Sequence, residues 1–515
     1  MKKIIYFFGL FLIVFQLSNV NQKLYAQSDG TLDNTFGTGG KVITPVGSND
    51  AGVYSVAIQS DGKIVAAGWN YNGIYDNFVV VRYNTNGTLD NNFGTGGKVI
   101  TDLSNPTEAY SLVIQSDGKI IIAGTEEIGA NFDFAVLRYN SDGTLDHSFG
   151  TNGVVTTDIN GNDDKIFSVA LQGKKIVAAG ISFNGSNYDF GLARYDTNGT
   201  LDNTFGTGGK VITSISSSDD KANSLVIQPD GNIVVAGSSW NGSNYDFTVV
   251  RYNINGTLDN SFGTNGIKTT DIASSDDYAY SVTLQGDGKI VTTGTSAVGN
   301  GDFVVIRYNI NGTLDNNFGT LGIITTDFNG NDDEPYSVVI QADGKIVVAG
   351  LTHITGVNLD FAVARYNSGG TLDNTFGTGG KVTTPVGTAN DWATSMALQS
   401  DGKIVVAGYI DDGAGTDDIA IVRYFVTPLG INNMNSQCDN LILYPNPANN
   451  KITVKTVSDT KDDFASIYNI QGQLIQQKLL QNTKTEIDIS NLAKGIYVVK
   501  VSNMETTIVK HFVKE

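Results

Sequence analysis

One string governs what this chain can become. Gly-Thr-Leu-Asp-x-x-Phe-Gly recurs with its leucine at positions 32, 89, 145, 201, 258, 314 and 372. An Arg-Tyr pair keeps the same step, at Arg82, Arg138, Arg194, Arg251, Arg307, Arg365 and Arg423, so successive units are 56 to 58 residues long. A fixed period outranks any local signal, because each unit must stack on its neighbours to bury its apolar face. Within the first unit after the opening segment, Tyr54–Gln59, Lys63–Gly68, Asn77–Tyr83 and Gly97–Thr101 alternate or run apolar as strands do. Ser60-Asp61-Gly62 supplies a tight turn between the first two, and Asn86-Gly87 another after the Arg-Tyr strand. Leu171-Gln-Gly-Lys-Lys lacks the Asp-Gly turn, which predicts a hairpin one residue shorter. No segment here has a helical period.

Four antiparallel strands repeated seven times predict an all-β fold, a seven-bladed β-propeller with four-stranded blades. The phase of the array closes the ring. A lone outer segment, 31–45, precedes the first inner strand, and none follows Tyr424. The N-terminal strand therefore completes the last blade, removing two exposed sheet edges. The repeated Arg and the repeated Asp of Leu-Asp read as a structural ion pair, since a buried guanidinium needs a carboxylate. These units, such as Ser55-Val-Ala-Ile-Gln-Ser-Asp-Gly-Lys-Ile-Val-Ala-Ala-Gly, resemble the delta-60 repeat family, and the resemblance implies a propeller without an assigned general chemistry.

The two ends read as addresses. Lys2 and Lys3 precede an apolar run over 4–15 and a small residue at Ala26, the pattern of a secretory signal peptide over 1–26. That run is too short to span a bilayer, which takes about 20 apolar residues, so no transmembrane segment is expected in the mature protein. The propeller is expected over 27–424 and a linker over 425–440, followed by a small β-sandwich over 441–515. In this last stretch Tyr444-Pro-Asn-Pro-Ala, Ile467-Tyr-Asn-Ile-Gln-Gly, Leu492-Ala-Lys-Gly-Ile-Tyr-Val-Val-Lys-Val and Lys510-His-Phe resemble the type A C-terminal sorting domain of the type IX secretion system. The resemblance implies the type IX secretion machinery as partner, Gly495, Tyr497 and Lys510 as part of the signal, and a secreted or surface-attached protein of a Gram-negative bacterium.

Charge follows the same division. Residues 441–515 hold nine Lys against seven acids, a net +2, leaving 21 basic and 45 acidic residues and a net −24 in 27–440. Such acidity excludes a nucleic-acid partner, which needs clustered Lys and Arg. A single cysteine, Cys438, excludes an intrachain disulfide, and three scattered histidines leave little for acid–base work.

Function is expected in the loops of one ring face. Paired acids enter the inner strands at Asp163-Asp164, Asp219-Asp220, Asp276-Asp277 and Asp332-Asp333, a composition that suits Ca²⁺ with its six to eight oxygen ligands. The alternative is a solvated acidic turn. Trp69, Tyr71, Tyr75, Tyr188, Trp240, Tyr245 and Trp392 fall on the same face and could hold a glycan or a protein ligand, or simply close over the blade ends. The leading expectation is a non-catalytic binding or adhesion scaffold without a catalytic residue. A polysaccharide-active enzyme using acids such as Glu126, Glu127 or Glu334, or a purely structural surface-layer component, are the alternatives.

Overall fold

The computed structural model describes residues 27–297, 301–354, 358–427, 441–456, 464–468, 474–480, 482–502 and 507–515. The signal peptide expected over 1–26 and Cys438 lie outside these residues. Two compact units divide at Pro428.

The first unit is the seven-bladed propeller. Blade 1 runs from its inner strand Ala51–Ile58 through Ile64–Tyr71 and Asp76–Tyr83 to the outer strand Lys98–Thr101, and five further blades repeat that order. Blade 7 supplies only Asp391–Leu398, Ile404–Asp411 and Asp417–Tyr424 in sequence; Lys41–Thr44 adds its fourth strand, with Lys41 opposite Val422 and Thr44 opposite Ile419. The ring is thus closed by the N-terminal strand. Blade 3 turns on Gly173 and Lys174 alone, between the paired Gln172 and Lys175, as the missing Asp-Gly predicts.

Second and third strands are buried on both faces because each blade is packed between two others. Between blades 1 and 2, for example, Val65, Phe78 and Val80 meet Leu112, Ile120 and Ile122. Two polar devices recur in this dry setting. Every third-strand Tyr is fully buried, and its hydroxyl meets a Thr ending the preceding outer strand, from Tyr83 with Thr44 at 2.9 Å to Tyr424 with Thr384 at 2.8 Å. Every Arg of the Arg-Tyr pair forms an ion pair through Nε with an Asp of the Leu-Asp string, as Arg82 does with Asp90 at 2.8 Å, and lies over the Phe of that string, 4.4 Å from the Phe93 centroid. The repeated Arg is structural.

The inner strands carry a bulge that fixes what faces the axis. Val53 pairs with Gly68 and Ser55 with Ala67, so Tyr54 between them has no partner. A Cβ on Gly68 would come within 2.1 Å of the Gly52 carbonyl oxygen, which is why glycine stands opposite the bulge. The following serine ties the ring together: Ser55 Oγ accepts from Leu112 N at 3.1 Å, and the series continues blade by blade until Ser395 accepts from Val56 N at 3.2 Å. A bulge breaks the ladder, and these hydroxyls re-satisfy the freed N–H groups.

The second unit is a small sandwich. One sheet holds Leu441–Tyr444, Lys451–Thr456 and Lys484–Asp488; the other holds Leu474–Leu479, Phe464–Tyr468, Gly495–Ser502 and Thr507–Lys514. Ile452, Val454 and Ile487 of the first pack with Ile467, Val499 and Phe512 of the second.

Candidate functional site

The bulge residues of all seven inner strands meet on the propeller axis. Tyr54, Tyr110, Phe167, Asn223, Tyr280, Tyr336 and Thr394, joined by Trp392 and Tyr409, line a cavity of about 320 Å³. Their rings form a continuous arc. Tyr54 stacks on Tyr110 at 5.4 Å, Phe167 meets Tyr110 edge-on at 5.1 Å, and Tyr409 bridges from Tyr54 at 6.3 Å to Trp392, stacked at 4.9 Å. Tyr280 and Tyr336 pair on their own at 5.3 Å. Adjacent residues on one strand differ completely in logic. The serine after the bulge is the same in every blade, whereas the bulge residue is Tyr, Phe, Asn or Thr.

Two phenols donate to acids two residues earlier on the same strand, Tyr110 to Glu108 and Tyr336 to Glu334. Burial first, then the neighbouring glutamate charge, pushes both phenols above the ordinary tyrosine range, and burial pushes Tyr409 up to about 12. All three therefore remain protonated and available as hydrogen-bond donors. Lys165 and Lys221 occupy the strand position that Glu108 and Glu334 hold in blades 2 and 6. The cavity is thus aromatic in its wall and charged, with both signs, toward its rim.

The aromatic residues expected to form one ligand face divide. Trp392 lies in the axial cavity, and Trp69 joins it through Tyr409, 6.0 Å away. Trp240 stays with Tyr245 at 5.2 Å, which in turn meets Tyr278 at 5.4 Å, and Tyr188 packs on Phe183 at 5.1 Å. Tyr71 is exposed, and the Tyr75 hydroxyl bonds Asp102 at 3.0 Å. Tyr54, Tyr110, Phe167, Tyr280 and Tyr336 escaped sequence reasoning, because only the bulge turns them to the axis.

The acid pairs also divide, since neighbours on a strand point to opposite faces. The first member reaches across the junction: Asp163 accepts from Phe132 N, Asp219 from Tyr188 N and Asp276 from Tyr245 N, each at 3.0 Å. Asp332 is exposed. The second members, Asp164, Asp220, Asp277 and Asp333, are fully buried and accept from Ile159, Ile215, Ile272 and Phe328 N at 2.6 to 2.7 Å. Adjacent aspartates therefore do not share one point. Glu126 of the enzyme alternative accepts from Asn105 at 3.2 Å.

Uncompensated acid also gathers where blade 7 meets blade 1. Burial, followed by the charges of Asp50, Asp411, Asp412 and Asp418, pushes the Asp417 carboxyl up to about 6. An unfolded chain releases this proton near pH 3.9, so between about pH 4 and 6 only the fold retains it, and stability falls as pH rises through that window. Asp417→Asn should flatten this decline and raise the unfolding midpoint at pH 7.5. Scanning calorimetry from pH 4 to 7.5 checks it, and an unchanged profile would refute the assignment.

Fold and cavity together define a class: an all-β, seven-bladed propeller joined to a β-sandwich. Seven stretches, 59–93, 115–149, 174–205, 228–262, 285–318, 341–376 and 399–425, match the domain of unknown function (DUF5122) beta-propeller, and 442–515 match the secretion system C-terminal sorting domain. The chain carries seven repeats of that propeller and ends in that sorting domain, which directs export by type IX secretion to the cell surface or beyond. No curated protein sequence matches significantly. Among solved structures, a catalytically inactive virginiamycin B lyase from Staphylococcus aureus is 13% identical, with TM-score 0.44, over 75% of this chain and 99% of its own. A protein of unknown function from Dyadobacter fermentans is 12% identical, with TM-score 0.42, over 75% and 98%. The polysaccharide lyase Uly1 is 12% identical, with TM-score 0.41, over 78% and 94%. Likeness at this level carries no chemistry across. No helix among the described residues is long and apolar enough to cross a membrane.

Proposed function

We propose that the exported protein is a non-catalytic binding propeller that takes a short stretch of an extracellular glycan into the axial cavity. One observation carries this reading: all seven blades aim their unpaired bulge residue at the axis, and five of these seven side chains are aromatic. Sugar rings present C–H faces that lie on aromatic planes and hydroxyls that need polar partners. Tyr54, Tyr110 and Trp392 offer planes; Asn223, Glu108 and Glu334 offer the polar partners. A volume of about 320 Å³ sits at the lower end of small-molecule pockets, which suits one end of a chain rather than a long groove. Protonated phenols act as donors here and are poor general bases, which favours holding a ligand over turning it over.

A glycan array on the mature chain tests this, followed by titration of the best hit. Trp392→Ala and Tyr336→Ala should each weaken binding about tenfold, the equivalent of about 1.4 kcal/mol. Trp240→Ala, outside the cavity, should leave it unchanged. No hit, or equal affinities in all three variants, would remove the glycan reading, and a shortened glycan in the mass spectrum would turn it into an enzyme.

A further inference from the structure

The clefts between blades hold a different kind of site. Between blades 4 and 5, Asp246 of a third strand, Asp271 just past an outer strand and Asp277 at the start of the next inner strand converge. One carboxylate oxygen from each lies within 4.8 Å of the others. The same three positions bring Asp133, Asp158 and Asp164 together between blades 2 and 3, and Asp302, Asp327 and Asp333 between blades 5 and 6.

Acidic clusters alone mark no ligand, but these share a second feature. In each, the innermost aspartate is fully buried, one of its oxygens is held by a backbone N–H, and its Oδ1 accepts no hydrogen bond: Asp164, Asp277 and Asp333 alike. A buried hydroxyl, of Ser182, Ser296 or Thr352, faces that aspartate across the strand pair and has no other partner. The other junctions show that this opening is not a property of the fold. Between blades 3 and 4, Ser214 stands at the middle position, and Ser216 Oγ donates to Asp220 Oδ1 at 2.8 Å. Between blades 6 and 7 the middle residue is Pro385, and Gly387 N donates to Asp391 Oδ1 at 3.0 Å. The buried oxygen is left open only where the middle residue is a third aspartate.

Counter-charge is scarce. Lys210 and Lys381 reach the main-chain oxygens of Asp158 and Asp327 at 3.0 and 2.8 Å, but the corresponding residue beside Asp271 is Ile323. Buried polar atoms are ordinarily paired, and clustered carboxylates in a partly dry cleft repel one another unless a cation or a proton intervenes.

We propose that these three inter-blade clefts each bind a divalent cation of the hard, oxygen-preferring kind, calcium above all, and that the ligands are the converging aspartates from two blades rather than adjacent acids of one loop. Three carboxylates and a hydroxyl supply part of the six to eight oxygens calcium takes, with water completing the set. Because each site spans two blades, bound calcium also fastens the ring.

Equilibrium dialysis of the chelator-stripped mature chain against calcium alone, at pH 7.5, is the test. The expected result is three ions per chain, two in Asp271→Asn, and none in the combined Asp158→Asn, Asp271→Asn and Asp327→Asn variant. These three residues are exposed, so the far-ultraviolet circular dichroism should be unchanged. Asp163→Asn, which alters a paired acid outside the clusters, should keep all three. Less than one ion per chain at millimolar calcium, or an unchanged count in the combined variant, would overturn the proposal.

Discussion

Asp33→Ala should destabilise the propeller by about 3–5 kcal/mol, the cost of leaving a buried charge without its partner. Asp33 is 1% exposed and accepts from Arg423 Nε at 2.9 Å, while Lys403 lies 3.4 Å away. The Arg423 guanidinium also donates to the Thr85 carbonyl of blade 1 at 2.6 Å and lies over Phe36 at 4.5 Å. Within the repeat the other six Arg–Asp pairs join residues eight apart in one blade, whereas this one joins residues 390 apart and, with Arg365 to Asp29 at 2.6 Å, holds the closing segment in place. Combining Asp33→Ala with Arg423→Met removes the stranded charge and should recover part of the loss. Asp259→Ala gives the graded comparison. Its carboxylate is 13% exposed and has no lysine, because Asn232 replaces it, so solvent screens the loss and the cost should be smaller. Urea unfolding midpoints of the protein order the variants, and a midpoint for Asp33→Ala equal to that of the parent would refute the lock.

The blades were legible because their determinants are local and repeated. Alternation marks strands, Asp-Gly marks turns, and the phase of the array assigns Lys41–Thr44 to blade 7, where it is found. Even the ion pair could be read, since an Arg beside Phe and Val on a strand needs a carboxylate. The axial cavity was not legible in the same way. Tyr54 reads as one more strand residue until the bulge isolates it, and the bulge is written in two places, an unvarying serine after it and a glycine across from it. A constant residue beside a chemically variable one was the available signal. The acid pairs divide for a related reason. Asp163 and Asp164 are neighbours in sequence and face apart, whereas Asp133 and Asp158 come together only through packing of one blade against the next. Sequence proximity on a strand argues against shared coordination, and no periodicity reports contacts between blades.

Deleting residues 441–515 should reduce surface delivery of the propeller to background while leaving it folded within the cell envelope. The core clusters of the propeller use only residues up to Val426, and the sandwich builds its own from residues such as Ile452, Val499 and Phe512. Fold and address are thus separable. Point substitutions can then divide the address into folding and recognition. Tyr497 is 9% exposed, stacks on Phe512 at 5.6 Å, and donates its hydroxyl to the Ala493 carbonyl at 3.0 Å. Truncating such a residue costs about 3–5 kcal/mol, comparable to the whole stability of a domain this small. Tyr497→Ala should therefore reproduce the deletion by unfolding the sandwich. Lys510 is exposed and Gly495 opens an edge of the same strand pair, so neither carries the core. Lys510→Glu should preserve the circular dichroism of the full chain while lowering delivery severalfold, since it changes an exposed charge and not the core. Surface proteolysis of intact cells, read against total protein, measures all three. Normal delivery of the deletion would defeat the assignment of the address, and normal delivery of Lys510→Glu alone would remove that lysine from it.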